Sequence, residues 1–240
     1  MTTTEDRFLG GRVIVRQTPH GFRAGLDAVM LAAAVPAVAG ETLLELGSGA
    51  GTASLCLARR VDGACVTGVE IDAALVRLAA ENTMANGMGD RVSFAAGDAL
   101  NPPESLRRQF DHVFCNPPFH NDDGAVSPDS SRAVALHDAG TLGAWITAGM
   151  KRTVSGGTFT LILRGDRLGE ALAALPERGV HIFPLWPRAG AAAKRILMQV
   201  HQGSRAPVNM LPGLVLHEAD GRYTSDADAV LRGSGLTIAG

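Results

Sequence analysis

From Gly40 onward, short β-branched apolar runs alternate with Ala/Leu-rich stretches of helical period. Thr42–Leu46, Cys65–Ile71, Val92–Ala95, His112–Cys115 and Thr158–Leu163 predict strands, and Thr52–Arg60, Ala73–Asn86 and Leu142–Arg152 predict helices between them. Strand–helix alternation of this kind predicts a parallel sheet, because strands apolar on both sides need a helical cover on each face. The pattern then changes. After a helix near Arg167–Leu175, the runs Val180–Leu185 and Arg195–His201 follow with a Pro/Gly/Ala-rich link and no helix, which predicts antiparallel pairing at one sheet edge. The expected fold is α/β: a seven-stranded, mostly parallel sheet with a terminal antiparallel hairpin and helices on both faces. Residues 1–40 read as a helical lead-in, 41–202 as the core, and 203–240 as a Gly-rich extension packed on the core, with a short strand near Leu214–His217.

A chain of 240 residues, 46% hydrophobic and 19% charged, suits one α/β domain and excludes a disordered or collagen-like polymer. The three cysteines, Cys56, Cys65 and Cys115, show no CxxC spacing, and the seven histidines show no HxxxH or HxxE spacing. Neither a disulfide framework nor a metal site is expected. Val29–Val38 imitates a secretory signal, but Asp27, Glu5, Asp6 and the long polar lead oppose that and favour an amphipathic core helix. No stretch approaches the ~20 apolar residues of a membrane span, so a soluble cytoplasmic protein with no membrane partner is expected. Arg59-Arg60 and Arg107-Arg108 fall where solvated helix ends belong, and Trp145 and Trp186 where side chains pack.

Leu43-Leu44-Glu45-Leu46-Gly47-Ser48-Gly49-Ala50-Gly51 is an apolar strand that runs into a glycine loop and then a helix. Glycines permit positive φ and close approach of a ligand to the backbone beside a helix N-terminus, so a nucleotide-like ligand follows. The dinucleotide spacing G-x-G-x-x-G/A fails, because Thr52 holds its last place. Glu70 ends the second strand of the core, 19 residues after Gly51, where a carboxylate can accept from both hydroxyls of a ribose. Asp98, after the third, can accept from an exocyclic adenine amine, and Ile71 is placed to pack on the adenine face.

The fourth strand of the core runs into Cys115-Asn116-Pro117-Pro118-Phe119-His120. Two prolines stiffen the turn, Asn116 and Pro117 supply carbonyl acceptors for a planar amine or amide, and Phe119 can stack on its face. Cys115 suits a small apolar role at a buried strand end.

The glycine loop resembles the first motif of the S-adenosylmethionine (AdoMet)-dependent methyltransferases with the Rossmann-like fold. The Asn-Pro-Pro-Phe loop resembles the N-P-P-[FY] motif of the amino-group methyltransferases, and the four features occur in that family's order across residues 43–119. Phe22-Arg23-Ala24-Gly25-Leu26-Asp27-Ala28-Val29-Met30-Leu31 also looks like the N-terminal motif that closes over the methionine end of AdoMet. Ser127-Pro128-Asp129, Arg132 and His137, and less specifically Lys194-Arg195-Ile196-Leu197 and Leu214–Glu218, look like the tRNA (valine) adenine-N6 methyltransferases. The resemblance implies AdoMet as cofactor, held by Glu45, Gly47, Gly49, Gly51, Glu70, Ile71, Asp98, Ala99 and Asn116. It implies catalysis by Asn116, Pro117 and Phe119 without a metal.

The implied reaction is methyl transfer to an exocyclic amine of an RNA base, adenine N6 in tRNA first. The rivals are guanine N2 in rRNA and a glutamine amide in a protein; a binding module without transfer stands apart from these. A net charge of −2 shows no overall basic field for RNA. Arg7, Arg12, Arg16 and Arg23, with His20, crowd the first segment and are the candidate RNA contact.

Overall fold

The structure, a computed structural model, describes residues 2–19, 23–118 and 141–238. The lead-in departs from the expected helix. Strands β1 (Thr4–Phe8) and β2 (Val13–Gln17) form an antiparallel hairpin of their own, and only α1 (Leu26–Ala34) is helical. The cause is local: Val13-Ile14-Val15 is β-branched, and Leu9, Gly10 and Gly11 between the strands all hold positive φ, which a continuous helix cannot include.

The core then alternates as the sequence implies. Its elements are β3 (Thr42–Leu46), α2 (Thr52–Arg60), β4 (Cys65–Glu70), α3 (Ala73–Ala85), β5 (Val92–Ala96) and β6 (Phe110–Cys115), followed by α4 (Leu142–Arg152), β7 (Thr153–Arg164), α5 (Leu168–Ala174), β8 (Val180–Arg188) and β9 (Arg195–His201). In space the order is β8-β9-β7-β6-β3-β4-β5, parallel from β7 to β5, with β9 antiparallel to both neighbours. The sheet is wider than seven strands. Beyond β8, β10 (Asn209–Met210) and β11 (Leu214–His217) pair parallel with successive halves of its outer edge and bring the total among the described residues to nine. A two-residue strand such as β10 is too short to show a period in sequence.

From β3 the chain winds outward to β4 and β5, then crosses back to β6 on the other side of β3. That reversal opens a crevice at the carboxyl ends of β3 and β6, the usual place for a ligand in an open α/β sheet. One core packs the hairpin, α1, α2 and the C-terminal helix α6 (Ser225–Leu231) on one face of the sheet; the other packs α4 and α5 on the opposite face. Every residue of α1 from Ala28 to Ala34 is buried, under α2, α6 and β7, so its signal-like apolarity is that of a helix covered all round, not of the amphipathic helix the sequence predicts. Arg60 donates to the carbonyls of Ala32 and Val35 at the end of α1, and Arg59 to that of Asn86 at 2.9 Å. These two arginines are anchors between helices, not a solvated helix end. Among the described residues, no helix is long and apolar enough to cross a membrane.

Candidate active site

Register brings the site together. Leu46, the last residue of β3, pairs with Val69 of β4 on one side and Cys115 of β6 on the other, so the glycine loop and Asn116 leave adjacent strands at the crevice. Gly47, Gly49 and Gly51 hold φ of +70°, +53° and +85°, where a side chain is strained. Their surroundings differ. A Cβ on Gly47 would lie 2.9 Å from the Trp145 ring and one on Gly51 2.6 Å from Phe94, whereas one on Gly49 would meet nothing within 4 Å. The outer glycines let aromatic rings pack against the loop; the middle one faces open space, where a ligand can approach the backbone. Gly68 in β4 serves the same packing, since a Cβ there would sit 2.5 Å from Phe94 and 2.7 Å from Ser48. Trp145 and Phe94 are thus the loop's supports. The sequence places Trp145 in helix packing, with no signal that the packing lies against a loop a hundred residues earlier.

Glu70 reaches across this loop. Its carboxylate accepts from the Gly49 N–H at 2.8 Å and from the Asp72 N–H at 3.0 Å, while Asp72 caps α3 through the Ala74 N–H at 2.7 Å. A carboxylate has about four lone-pair positions, so two remain for a ligand. Ile71, next in sequence, is 63% exposed, an apolar face at the crevice rim. Asp98 is exposed, with one oxygen on the Leu100 N–H at 2.8 Å, and Ala99 is buried in the core.

Glu45 is 4% exposed beneath the loop, where one oxygen accepts from both the N–H and the hydroxyl of Ser54 in the first turn of α2. Burial pushes its carboxyl up to about 8, against the Ser54 hydrogen bonds and with help from the charge of Glu70. The folded state therefore holds this proton more tightly than the unfolded chain. Its contribution to stability is complete below the ordinary value of 4.5 and is lost as pH rises to about 8. Glu45→Gln should flatten the fall in stability across that window. Denaturant midpoints from pH 5 to pH 8 check this, and a variant with the wild-type slope would refute it.

Three buried side-chain oxygens at the crevice have no hydrogen-bond partner among the described residues: Ser48 Oγ, Thr52 Oγ1 and Asn116 Oδ1. Pro117 is buried beside Asn116, while Phe119, His120, Ser127-Pro128-Asp129, Arg132 and His137 lie outside the described residues, as do His20 and Phe22. Burial pushes the Cys115 thiol up, with help from the Glu45 charge, so it is an inert apolar neighbour. The described residues contain no group of His, Cys, Asp and Glu that could hold a metal ion.

The N-terminal arginines divide. Arg12 donates to the carbonyls of Leu9 and Arg232, and Arg23 donates to Thr4 and Asp6 at 2.6 Å each, so both are tied into the fold. Arg7, which pairs with Glu5 at 3.3 Å within its own strand, and Arg16 project from the exposed face of the hairpin. Asp27, from the N-terminal motif, pairs with Arg195 at 2.8 Å and ties α1 to the carboxyl edge of the sheet.

Residues 24–141 match the family model of the methyltransferase small domain. A tRNA1(Val) (adenine(37)-N6)-methyltransferase of Shewanella baltica is 28% identical over 219 residues, covering 88% of this chain and 91% of the relative. One of Porphyromonas gingivalis bearing the same name is 36% identical over 144 residues, 55% of this chain and 54% of the relative. Among solved structures, a predicted O-methyltransferase of Agrobacterium tumefaciens superposes with a TM-score of 0.74 at 26% identity, covering 88% of this chain and 98% of that one.

Proposed function

We propose that this chain, an AdoMet-dependent methyltransferase, delivers its methyl group to an exocyclic amine of an RNA base, adenine N6 of a tRNA before any other. The observation that carries the reading is Asn116 Oδ1, a buried acceptor without a partner among the described residues, beside the glycine loop. Leaving such a group unpaired costs about 1–3 kcal/mol, so the site is arranged for a donor that arrives with the substrate. An exocyclic amine brings two hydrogens, and the carbonyls of Asn116 and Pro117 offer one acceptor each. Accepting both draws the nitrogen out of conjugation with the ring and aims its lone pair. A hydroxyl brings one hydrogen and would leave an acceptor empty, which favours the amine over the O-methylation named for the Agrobacterium protein. The names of the relatives favour tRNA adenine over rRNA guanine or a glutamine amide.

The crevice fits AdoMet in its donor set. Glu70 retains acceptors for ribose hydroxyls, Ile71 offers an apolar face for adenine, and Asp98 an acceptor for its amine. The open space at Gly49 and the unpartnered hydroxyls of Ser48 and Thr52 suit the amino-acid end. When bound, AdoMet supplies a methyl group on positively charged sulfur for direct transfer to nitrogen. Phe119 is assigned to stack on a base taken out of its helix.

Incubation with labelled AdoMet and separate tRNA, rRNA and protein pools tests the reading. Label in tRNA as N6-methyladenosine is expected. Label confined to rRNA or protein, or AdoMet binding with no transfer to any pool, would overturn it.

The basic surface offered to RNA narrows to Arg7 and Arg16. Neutralising an arginine that grips a phosphate should lower the salt slope of RNA binding by roughly one unit, because its counterions are no longer released. Replacing both with Gln should weaken and flatten RNA binding while AdoMet affinity holds. An unchanged slope would move the RNA-binding surface to Lys194 and its neighbours.

A further inference from the structure

Two asparagines, Asn82 on α3 and Asn86 at its C-terminal cap, hold the free edge of β2 in the manner of a neighbouring strand. Asn86 Oδ1 accepts from the Ile14 N–H at 2.9 Å, and its Nδ2 donates to the Ile14 carbonyl at 2.6 Å. Asn82 does the same two residues along, accepting from the Arg16 N–H at 2.8 Å and donating to the Arg16 carbonyl at 3.0 Å. The geometry matches because four residues of helix rise about 6 Å, close to the ~6.6 Å of two strand residues. The pair differs in its remaining N–H. Asn86 gives it to its own helix, at the Asn82 carbonyl 2.8 Å away. Asn82 gives it to the carbonyl of Ala50, between Gly49 and Gly51, at 3.0 Å. Asn82 is 1% exposed and joins hairpin, helix and glycine loop through one amide.

We propose that Asn82 is a positioning residue for the cofactor loop, holding the glycines in register with the N-terminal hairpin. The inference rests on the reading of that loop as the AdoMet cradle. The neighbouring asparagine supplies a matched control, since Asn86 makes the same clamp on β2 without touching the loop. Asp in either place keeps the acceptor for the strand N–H and loses both donors. Asn82→Asp should weaken S-adenosylhomocysteine by about three- to tenfold, the effect of one hydrogen bond. Asn86→Asp should bind it as wild type does, with a comparable loss of melting temperature in both variants.

Calorimetry with S-adenosylhomocysteine reads the difference. Equal weakening in both variants, or none in Asn82→Asp, would overturn the assignment. Failure of the wild-type protein to bind would instead overturn the cradle reading. Should Asn82→Asp not fold, hydrogen exchange on the wild-type protein serves. Saturating S-adenosylhomocysteine should slow exchange at the Arg16 N–H while leaving the Ile14 N–H unchanged, and an equal response at both would overturn the proposal.

Discussion

Asn116→Ala is expected to lower methyl transfer by about 10²- to 10³-fold or more, the scale of one hydrogen bond made to the reacting group, while AdoMet affinity falls far less than the rate and melting temperature stays near wild type. The combination follows from the isolation of the side-chain carbonyl. Asn116 Oδ1 has no partner among the described residues, so its removal breaks no hydrogen bond there and relieves an unsatisfied acceptor. A structural asparagine would behave in the opposite way, losing stability before activity. Asn116→Asp is a sharper companion. It keeps the acceptor but brings a charge beside buried Cys115, on the strand next to buried Glu45, and should recover only part of the rate. Single-turnover transfer to tRNA, measured beside calorimetry, separates the two effects. Loss of AdoMet affinity equal to the loss of rate would sink the assignment of Asn116 to the target amine.

Glu70→Ala should instead weaken AdoMet by about 1.5–3 kcal/mol, roughly ten- to hundredfold in affinity, as hydrogen bonds to a charged group do. Part of that loss acts through the protein itself. The same carboxylate accepts from the Gly49 and Asp72 N–H groups, so its removal frees the loop and the start of α3 together. Glu70→Gln retains an acceptor on one side and presents a donor on the other, and should fall between wild type and alanine. Asp98→Ala, at an exposed acid with one local hydrogen bond, should lose less than Glu70→Ala. Calorimetric titration of AdoMet into the variants gives the order. If Glu70→Ala binds as tightly as wild type, the ribose assignment fails.

The elements that carry the site are legible along the chain because each is a local demand on the backbone. A glycine loop between β3 and α2 needs positive φ at fixed positions, a carboxylate at the end of β4 needs only strand geometry, and two prolines after β6 announce a stiff turn. Buried strands advertise themselves as apolar runs, so β3 to β6 and β9 stand near their expected bounds, whereas β7 begins five residues earlier than expected, at Thr153, and β8 runs on to Arg188. The hairpin at the start of the chain is masked because Ala/Leu-rich helical sequence follows it closely, and Val13-Ile14-Val15 is too brief a run to outweigh that.

What the sequence determined alone is the order of strand, loop and helix from β3 to β9 and the residue types offered at those strand ends. Tertiary structure decided which of those residues stay available to a ligand. Arg12 is taken up by the carbonyl of Arg232, Arg60 by the end of α1, and Glu45 by Ser54, whereas the side-chain carbonyl of Asn116 is left without a partner among the described residues. It also decided what holds the loop: Trp145 against Gly47, Phe94 against Gly51, and Asn82 on the carbonyl of Ala50. The physical reason is that propensity and periodicity act over a few neighbouring residues, while a hydrogen bond or an aromatic contact joins positions that only the sheet order and the helix packing bring within reach.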